Sequence, residues 1–399
     1  MTSKTVLYVV ALNHAINDGS VYLPSTLFPI IISLFSLSVF QVGILVSAGY
    51  IVSVIFQPVV GHYSESRNPG KLLATGILVV SLSLLTFTTS NGFPALLFSI
   101  ILLRLGSSFF HPVGISAVSR TYRGPGLQRA MGFQSAFGNV GVLLIFLSAA
   151  PVYTLIGWAY TWILYASLTM TDVILTILIL RTKRSPVQLV NNHTVNQSPI
   201  GKYYVPFFTV AAAFVSGGSY AVILNFANIL LKDKLQLSTP VTNLVVSAFI
   251  ATASVGAFST GTLAQYAKTN TSLSAAFLLA SVAIFLVALF PGSLALATAG
   301  LLVCGFSISA TYPLTYTILS DHIGRDPERT GRSFGILSSS QTIGGSVMGL
   351  LAGSISQLAG LSYAFVAVAI IMLVASFSAM LWTRTLVIVR FERPLAVGP

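Results

Sequence analysis

Twelve runs of predominantly apolar residues, each close to the length needed to cross a bilayer, leave this chain few folds to choose from. They lie near 7-32, 41-63, 71-89, 93-119, 127-152, 157-180, 204-231, 240-266, 272-291, 293-318, 330-357 and 361-383. A membrane helix needs about 20 such residues, and in lipid its backbone N–H and C=O groups must be satisfied within the protein. Only 7% of the 399 side chains are charged and 55% are hydrophobic, a balance foreign to soluble domains. The sequence therefore predicts an all-α integral membrane protein with 12 transmembrane helices. Breaks such as Leu23-Pro24, Phe28-Pro29 and Gly344-Gly345 are tolerated where neighbouring helices re-satisfy the freed groups. The first run reads as a span rather than a cleaved leader, because it continues to Ile32 and holds His14, Asn17 and Asp18 where a plain apolar core belongs.

The net charge of +12 is sorted by loop rather than gathered on one face, which argues against nucleic acid as a partner. Of 20 Lys and Arg, only Lys232 and Lys234 fall in odd-numbered loops and Arg104 lies inside a span; the other 20 − 3 = 17 occupy even-numbered loops or the tails. The positive-inside rule then places both termini in the cytoplasm of a cell membrane. The single Cys304 excludes an internal disulfide and a cysteine metal cage.

Compared with itself at a shift of 200, the chain superposes Leu37-Ser38 on Leu237-Ser238, Val46-Ser47-Ala48 on Val246-Ser247-Ala248 and Gly61 on Gly261. The shift then drifts. Pro112 meets Pro313 at 201, while Arg129, Gly132, Ser135 and Gly141 meet Arg332, Gly335, Ser338 and Gly344 at 203. Such internal symmetry predicts two pseudo-symmetric six-helix bundles, 1-180 and 204-383. Between them 181-203 is a basic cytoplasmic linker, and 384-399 a basic tail; anionic lipid head groups suffice as partners for both.

The loop after the second span reads Gly61-His62-Tyr63-Ser64-Glu65-Ser66-Arg67-Asn68-Pro69-Gly70-Lys71. With the twelve spans and two halves, it is similar to the signature of the major facilitator superfamily, with Glu in place of Asp and one extra residue in the spacing. The resemblance implies the major facilitator fold and a gating role for Gly61, Glu65, Arg67, Gly70 and Lys71. In the second half Gln265 stands where the acid would be, so a charged latch belongs to the first half. Within the superfamily, three segments resemble the fosmidomycin-resistance exporter group: His14-Ala-Ile-Asn17-Asp18 with Leu23-Pro24 and Pro29, Gly106-Ser-Ser-Phe109-Phe110-His111-Pro112, and Arg123-Gly124 followed by Gln134 and Gly138-Asn139-Val-Gly141. The likeness in these segments covers the first 150 residues.

Ionisable residues within spans mark substrate or ion pathways. Four residues make about one helical turn, so His14, Asp18 and Tyr22 share a face, with Asn17 beside it. A carboxylate one turn from an imidazole can load and release a proton, which makes Asp18 and His14 the candidate coupling pair; the other reading is a fixed hydrogen-bond network. Arg104 and His111 are two turns apart along the fourth span, with Ser108 between them, and Asp18 is the expected partner of Arg104. An isolated charge at the bilayer centre costs roughly 2.5 to 3.5 kcal/mol, so Arg104 needs a partner or water. Its guanidinium also suits phosphonate or carboxylate groups. Candidate substrate contacts are Arg104, His111, Asn17, Tyr22, Gln134 and Asn139 in the first half and Tyr220, Asn225, Tyr312 and Gln341 in the second, where neutral amides and phenols orient a ligand without carrying protons. Asp172 shares its face with Trp158, Trp162, Tyr165 and Thr169 and reads as structural.

The chain shows no Gly-rich nucleotide loop, metal-ligand cluster or nucleophile elbow, so neither an enzyme nor a cofactor is expected. The expected function is proton-coupled antiport exporting small amphipathic or anionic compounds by alternating access, with small molecules, protons and lipids as partners and a monomer as the working unit. Proton symport of an organic anion or sugar would use the same residues. A membrane receptor that has lost transport would bind ligand without flux.

Overall fold

A computed structural model describes residues 3–64, 67–122, 124–181, 204–263, 268–323, 327–381 and 388–390. The first half contains α1 (Ser3–Phe35), α2 (Val39–Ser64), α3 (Pro69–Thr88), α4 (Phe93–Ser107), α5 (Phe110–Thr121) and α6 (Gly124–Arg181). The second contains α7 (Phe207–Leu235), α8 (Thr239–Leu263), α9 (Thr269–Leu289), α10 (Leu294–Ile323), α11 (Pro327–Ala359) and α12 (Leu361–Leu381). Two short strands, β1 (Tyr204–Pro206) and β2 (Ile388–Arg390), pair antiparallel with Val205 opposite Val389. No strand is expected from the sequence; this ribbon ties the start of the second half to the tail.

One expected span is interrupted, and two others are joined as arms of one element. The run 93-119 is split into α4 and α5, because Pro112 has no N–H to give the Ser108 carbonyl, its partner four residues back. Across the break, Phe109 N–H bonds the Gly106 carbonyl at 3.3 Å, an i+3 contact that tightens the turn. Conversely, α6 runs through the fifth and sixth expected spans, and its backbone leaves the helical region at Gly157 (φ 77°). That conformation suits glycine. The Ser148 and Tyr165 hydroxyls, on opposite sides of Gly157, lie 2.7 Å apart, so the chain folds back there and crosses twice. The 11 long apolar helical stretches thus supply twelve crossings.

The repeat found in the sequence recurs in the backbone. Ser36 (φ 51°) and Gln236 (φ 53°), 200 residues apart, close the first turn of each half with the left-handed conformation. Gly157 and Gly360 (φ 100°), 203 apart, make the last turn of each. Both shifts are those at which the sequence superposes on itself.

Packing distinguishes the two ends of the molecule. The main apolar core draws Leu23, Leu27 and Phe28 of α1 together with Phe226 and Leu230 of α7 and Phe249 of α8, so one core spans both halves. At the other end the cores separate: Val10, Val60, Leu73, Phe110 and Val113 cluster within the first half, Ala213, Leu319 and Leu337 within the second. A cleft therefore opens toward the end where α1 begins and is sealed beyond Leu23.

Polar groups complete the seal. Pro29 cannot donate to the carbonyl of Ser25, and Asn228 of α7 takes that acceptor at 2.8 Å. Asn243 of α8 donates to the Thr26 carbonyl at 2.9 Å, and Ser25 Oγ donates to Asn225 Oδ1 at 2.6 Å. Alongside, Ser47 of α2 meets Ser346 of α11 at 2.9 Å, and Gly43 lies against Gly353 so closely that an added Cβ would stand 2.9 Å from its Cα. Small residues permit this backbone approach between membrane helices.

Candidate transport site in the cleft

Below the seal, α1 carries His14 and Asp18 one turn apart, with Nε2 of the histidine 3.1 Å from Oδ2 of the aspartate. Asn17 donates to Asp18 Oδ1 at 2.8 Å. The other histidine nitrogen, Nδ1, is 2.8 Å from the backbone carbonyl of Gln134 on α6. A carbonyl only accepts, so Nδ1 carries a hydrogen. The short Nε2–Oδ2 contact then requires a second proton between the two groups, on the imidazole or on the carboxyl. The pair is built around one exchangeable proton.

The imidazole is held from three further directions. It stacks on Phe110 with centroids 4.5 Å apart and stands edge-on to His111 at 5.5 Å. Gly138 supplies the space behind it, since an added Cβ there would lie 2.6 Å from His14 Nε2. Three residues further, Gly141 abuts the Ala15 backbone so tightly that any side chain would overlap its carbonyl. The glycines expected in the fifth span thus bring α6 against α1 at the level of the pair.

Ser108 and Phe109, at the junction of α4 and α5, keep right-handed helical backbone angles, and Arg104 and His111 on either side of them have different partners. His111 Nε2 approaches Asp18 Oδ1 at 3.9 Å. Arg104 lies with Cζ 4.3 Å from the ring centroid of Tyr50, and the ion pairs made by Asp18 among the described residues are with His14 and His111. The expected Arg104–Asp18 pair is therefore replaced by a cation–π contact, worth about 0.5–2 kcal/mol for a half-buried guanidinium. Gly49 makes room for the arginine stem, since an added Cβ there would stand 3.0 Å from Arg104 Cγ.

Around Arg104 the cleft is lined by phenols. Tyr22 and Tyr50 hydroxyls are 3.3 Å apart, and across the cleft Tyr220 stands edge-on to Tyr312 with centroids 6.1 Å apart. Charge sits on the first-half wall and neutral polar groups on the second. Asn225 is buried where the cleft meets the seal: it accepts from Ser25 Oγ, donates to the Ala221 carbonyl and lines a small pocket together with Arg104. Gln134 contributes its backbone carbonyl, while its Nε2 bonds Ser135 at 3.0 Å. Asn139 is half-buried beside Gly138, and Gln341 packs its backbone against Gly217 and has a buried Nε2 without a hydrogen-bond partner.

Of the loop residues, Glu65 lies outside the described residues, Arg67 and Lys71 are exposed, and Gly70 is buried at the start of α3. Asn68 caps α3, accepting from the Gly70 and Lys71 N–H groups at 2.9 and 3.2 Å. Gly61 faces Pro112 at ordinary contact distance, 3.6 Å for an added Cβ, so no close approach demands glycine there. The linker from 182 to 203 and residues 382–387 and 391–399 of the tail region also lie outside.

Residues not anticipated from the sequence include Tyr50, Asn243 and Asn13. Asn13 Nδ2 donates to both Asp172 oxygens at 3.1 Å and to Thr176 Oγ1 at 2.9 Å, fastening α1 to the second arm of α6. Its signal was an amide directly beside His14 in an otherwise apolar run. The bonding gives Asp172 a place in the packing of α1, away from His14 and Asp18.

Two repeated helical halves around a polar cleft, sealed at one end, define a polytopic membrane protein built on the plan of a transporter rather than an enzyme. The chain belongs to the Major Facilitator Superfamily, whose family model matches residues 10–327 and again 208–394. It is 30% identical over 168 residues to the fosmidomycin resistance protein of Escherichia coli K12, covering 42% of this chain and 41% of that protein. It is 29% identical over 156 residues to the MFS-type transporter YfnC of Bacillus subtilis 168, covering 39% of this chain and 38% of that one. The matched stretches thus span about two fifths of these relatives. Among solved structures, a bacterial homologue of the human lysosomal transporter Spinster, inward-facing and occupied, superposes with a TM-score of 0.77 at 16% identity, covering 94% of this chain and 96% of that one. A point mutant of the nucleoside transporter NupG superposes at 0.74 and 13% identity, covering 96% and 100%. These likenesses carry the fold alone.

Proposed function

We propose that this protein is a secondary active transporter of the cell membrane, a proton-coupled antiporter that exports small amphipathic or anionic compounds by alternating access. The observation that carries the reading is the His14–Asp18 pair, which needs one exchangeable proton and lies beside a cleft open at one end. The bodies that rock are 1-180 and 204-383, with 181-203 as linker and 384-399 as tail. Both termini are cytoplasmic by the distribution of Lys and Arg, which makes the open end the inner one. Substrate entering from the cytoplasm meets Arg104 on one wall and Tyr220 and Tyr312 on the other. Its binding favours release of the Asp18 proton inward; after the halves rock, Asp18 is reprotonated from outside as substrate leaves. Likeness to a fosmidomycin resistance protein favours export over uptake.

The test uses purified protein in liposomes containing a pH-sensitive dye, challenged with phosphonates, organic anions and lipophilic drugs, with Asp18→Asn beside it. Opposed proton and substrate movement, lost in the variant, is the expected result. Protons and substrate moving together would make the protein a symporter. Substrate flux without proton movement, or coupling that survives Asp18→Asn, would overturn the assignment of Asp18.

A further inference from the structure

The sequence shows no metal-ligand cluster because His111 is distant in the chain from His14 and Asp18, yet the fold assembles one. His14 Nε2, His111 Nε2 and a carboxylate oxygen of Asp18 all lie within 4.8 Å of one another. Two come from α1 and one from α5, just past the break at Ser108 and Phe109. We propose that these three side chains form a seat for a first-row transition-metal dication such as Zn²⁺, on the first-half wall of the cleft.

Three features fit an ion better than a chance cluster. The donor set is two imidazoles and one carboxylate, which suits Zn²⁺, Ni²⁺ or Co²⁺, whereas Mg²⁺ and Ca²⁺ favour oxygen alone. Metal-bound histidines characteristically donate their second ring N–H to a carbonyl or carboxylate, and His14 Nδ1 already does so to the Gln134 carbonyl at 2.8 Å. That bond directs Nε2 at Asp18, and Phe110 and Gly138 on the ring faces fix its orientation.

The distances are close to those coordination requires. Metal–nitrogen and metal–oxygen bonds of about 2.0–2.1 Å in a tetrahedron place neighbouring donors roughly 3.3 Å apart. His14 Nε2 and Asp18 Oδ2 are at 3.1 Å, and His111 Nε2 and Asp18 Oδ1 at 3.9 Å, so His111 closes on Asp18 by about 0.6 Å to reach that spacing. The fourth position faces the cleft, where the His111 and Asp18 side chains keep 39% and 23% exposure. The nearby cation, Arg104, is drawn aside onto the Tyr50 ring.

The test uses the full-length protein in detergent, purified without a histidine tag, and the metal alone. Co²⁺ is titrated while its visible d–d bands are followed, then displaced with Zn²⁺, and Zn²⁺ binding is measured calorimetrically. One Zn²⁺ per chain is expected, weakened at least tenfold by His14→Gln or His111→Gln and unchanged by His62→Gln, which alters a histidine on α2 outside the cluster. X-ray absorption of the zinc-loaded parent, which needs no variant to fold, should show two imidazoles in the first shell. One imidazole or none, or binding indifferent to both triad substitutions, would overturn the proposal. Neither readout involves flux, so failure here leaves the transport reading intact, and the converse also holds.

Discussion

Replacing Asn228 by Ala tests whether the seal is set by side-chain amides or by apolar packing alone. The substitution removes the 2.8 Å bond to the Ser25 carbonyl and the 3.2 Å bond to Asn243. Ser25 cannot recover a partner within α1, because the residue four positions on is Pro29. Stranding a buried acceptor costs about 1–3 kcal/mol, while measured side-chain bonds between membrane helices average about 0.6. Taking about 1–2 kcal/mol lost only while the seal is closed, the ratio of opened to sealed molecules rises roughly 5- to 30-fold. Ser36 and Gln236 are exposed at the sealed end, one on each half, and the only native cysteine, Cys304, is buried. Spin labels at Cys residues replacing Ser36 and Gln236, in a Cys304→Ala background, report that ratio as a second, longer distance. The longer distance should grow in Asn228→Ala and shrink again when Pro29→Ala is added, since alanine at that position restores an N–H to the Ser25 carbonyl. An unchanged distribution in folded Asn228→Ala, or no response to the added Pro29→Ala, would refute the argument.

Gly141→Leu should abolish folding, read as loss of a monodisperse gel-filtration peak, because no side chain fits against the Ala15 carbonyl. Arg104→Lys keeps the charge but loses the planar face that lies on Tyr50; binding of anionic substrates should weaken about tenfold by calorimetry, and unchanged affinity would remove Arg104 from the site. Asp172→Asn should leave transport intact, while Asn13→Leu, which strands the Asp172 carboxylate in the packed interior, should lower the thermal midpoint sharply.

The spans were legible because hydropathy reports the bilayer directly, and the two-fold repeat because turn residues such as Leu37-Ser38 and Leu237-Ser238 recur in order. The break at Ser108 and Phe109 was legible in principle: Pro112 removes the N–H owed to Ser108, but within a long apolar run the proline reads equally as tolerated. The turn at Gly157 was legible as the gap between the spans 127-152 and 157-180, and the backbone angle placed it at the glycine. Helical spacing placed His14 with Asp18, since both lie on one helix. Which residue neutralises Arg104 depends on how α4 packs against α2, and Tyr50 looked like any aromatic in a span. The bond between Asn225 and Ser25 was illegible for the same reason, because the two lie on different halves.

Ser25 and Asn225 are 200 residues apart, the same interval that relates Ser36 to Gln236. Equivalent positions that touch each other must sit on the pseudo-dyad relating the halves, so this hydrogen bond marks the molecular axis. Carried through the same operation, His14 and Asp18 fall on Phe214 and Gly218. The space there is already filled: Gly218 is pressed against Met348 and the Gly344 carbonyl. The scaffold is duplicated, but among the described residues the His14–Asp18 pair has no counterpart in the second half, and backbone contact bars a carboxylate from the twin position. Substituting Gly218 by Asp would unpack α7 from α11 rather than give the second half a matching pair.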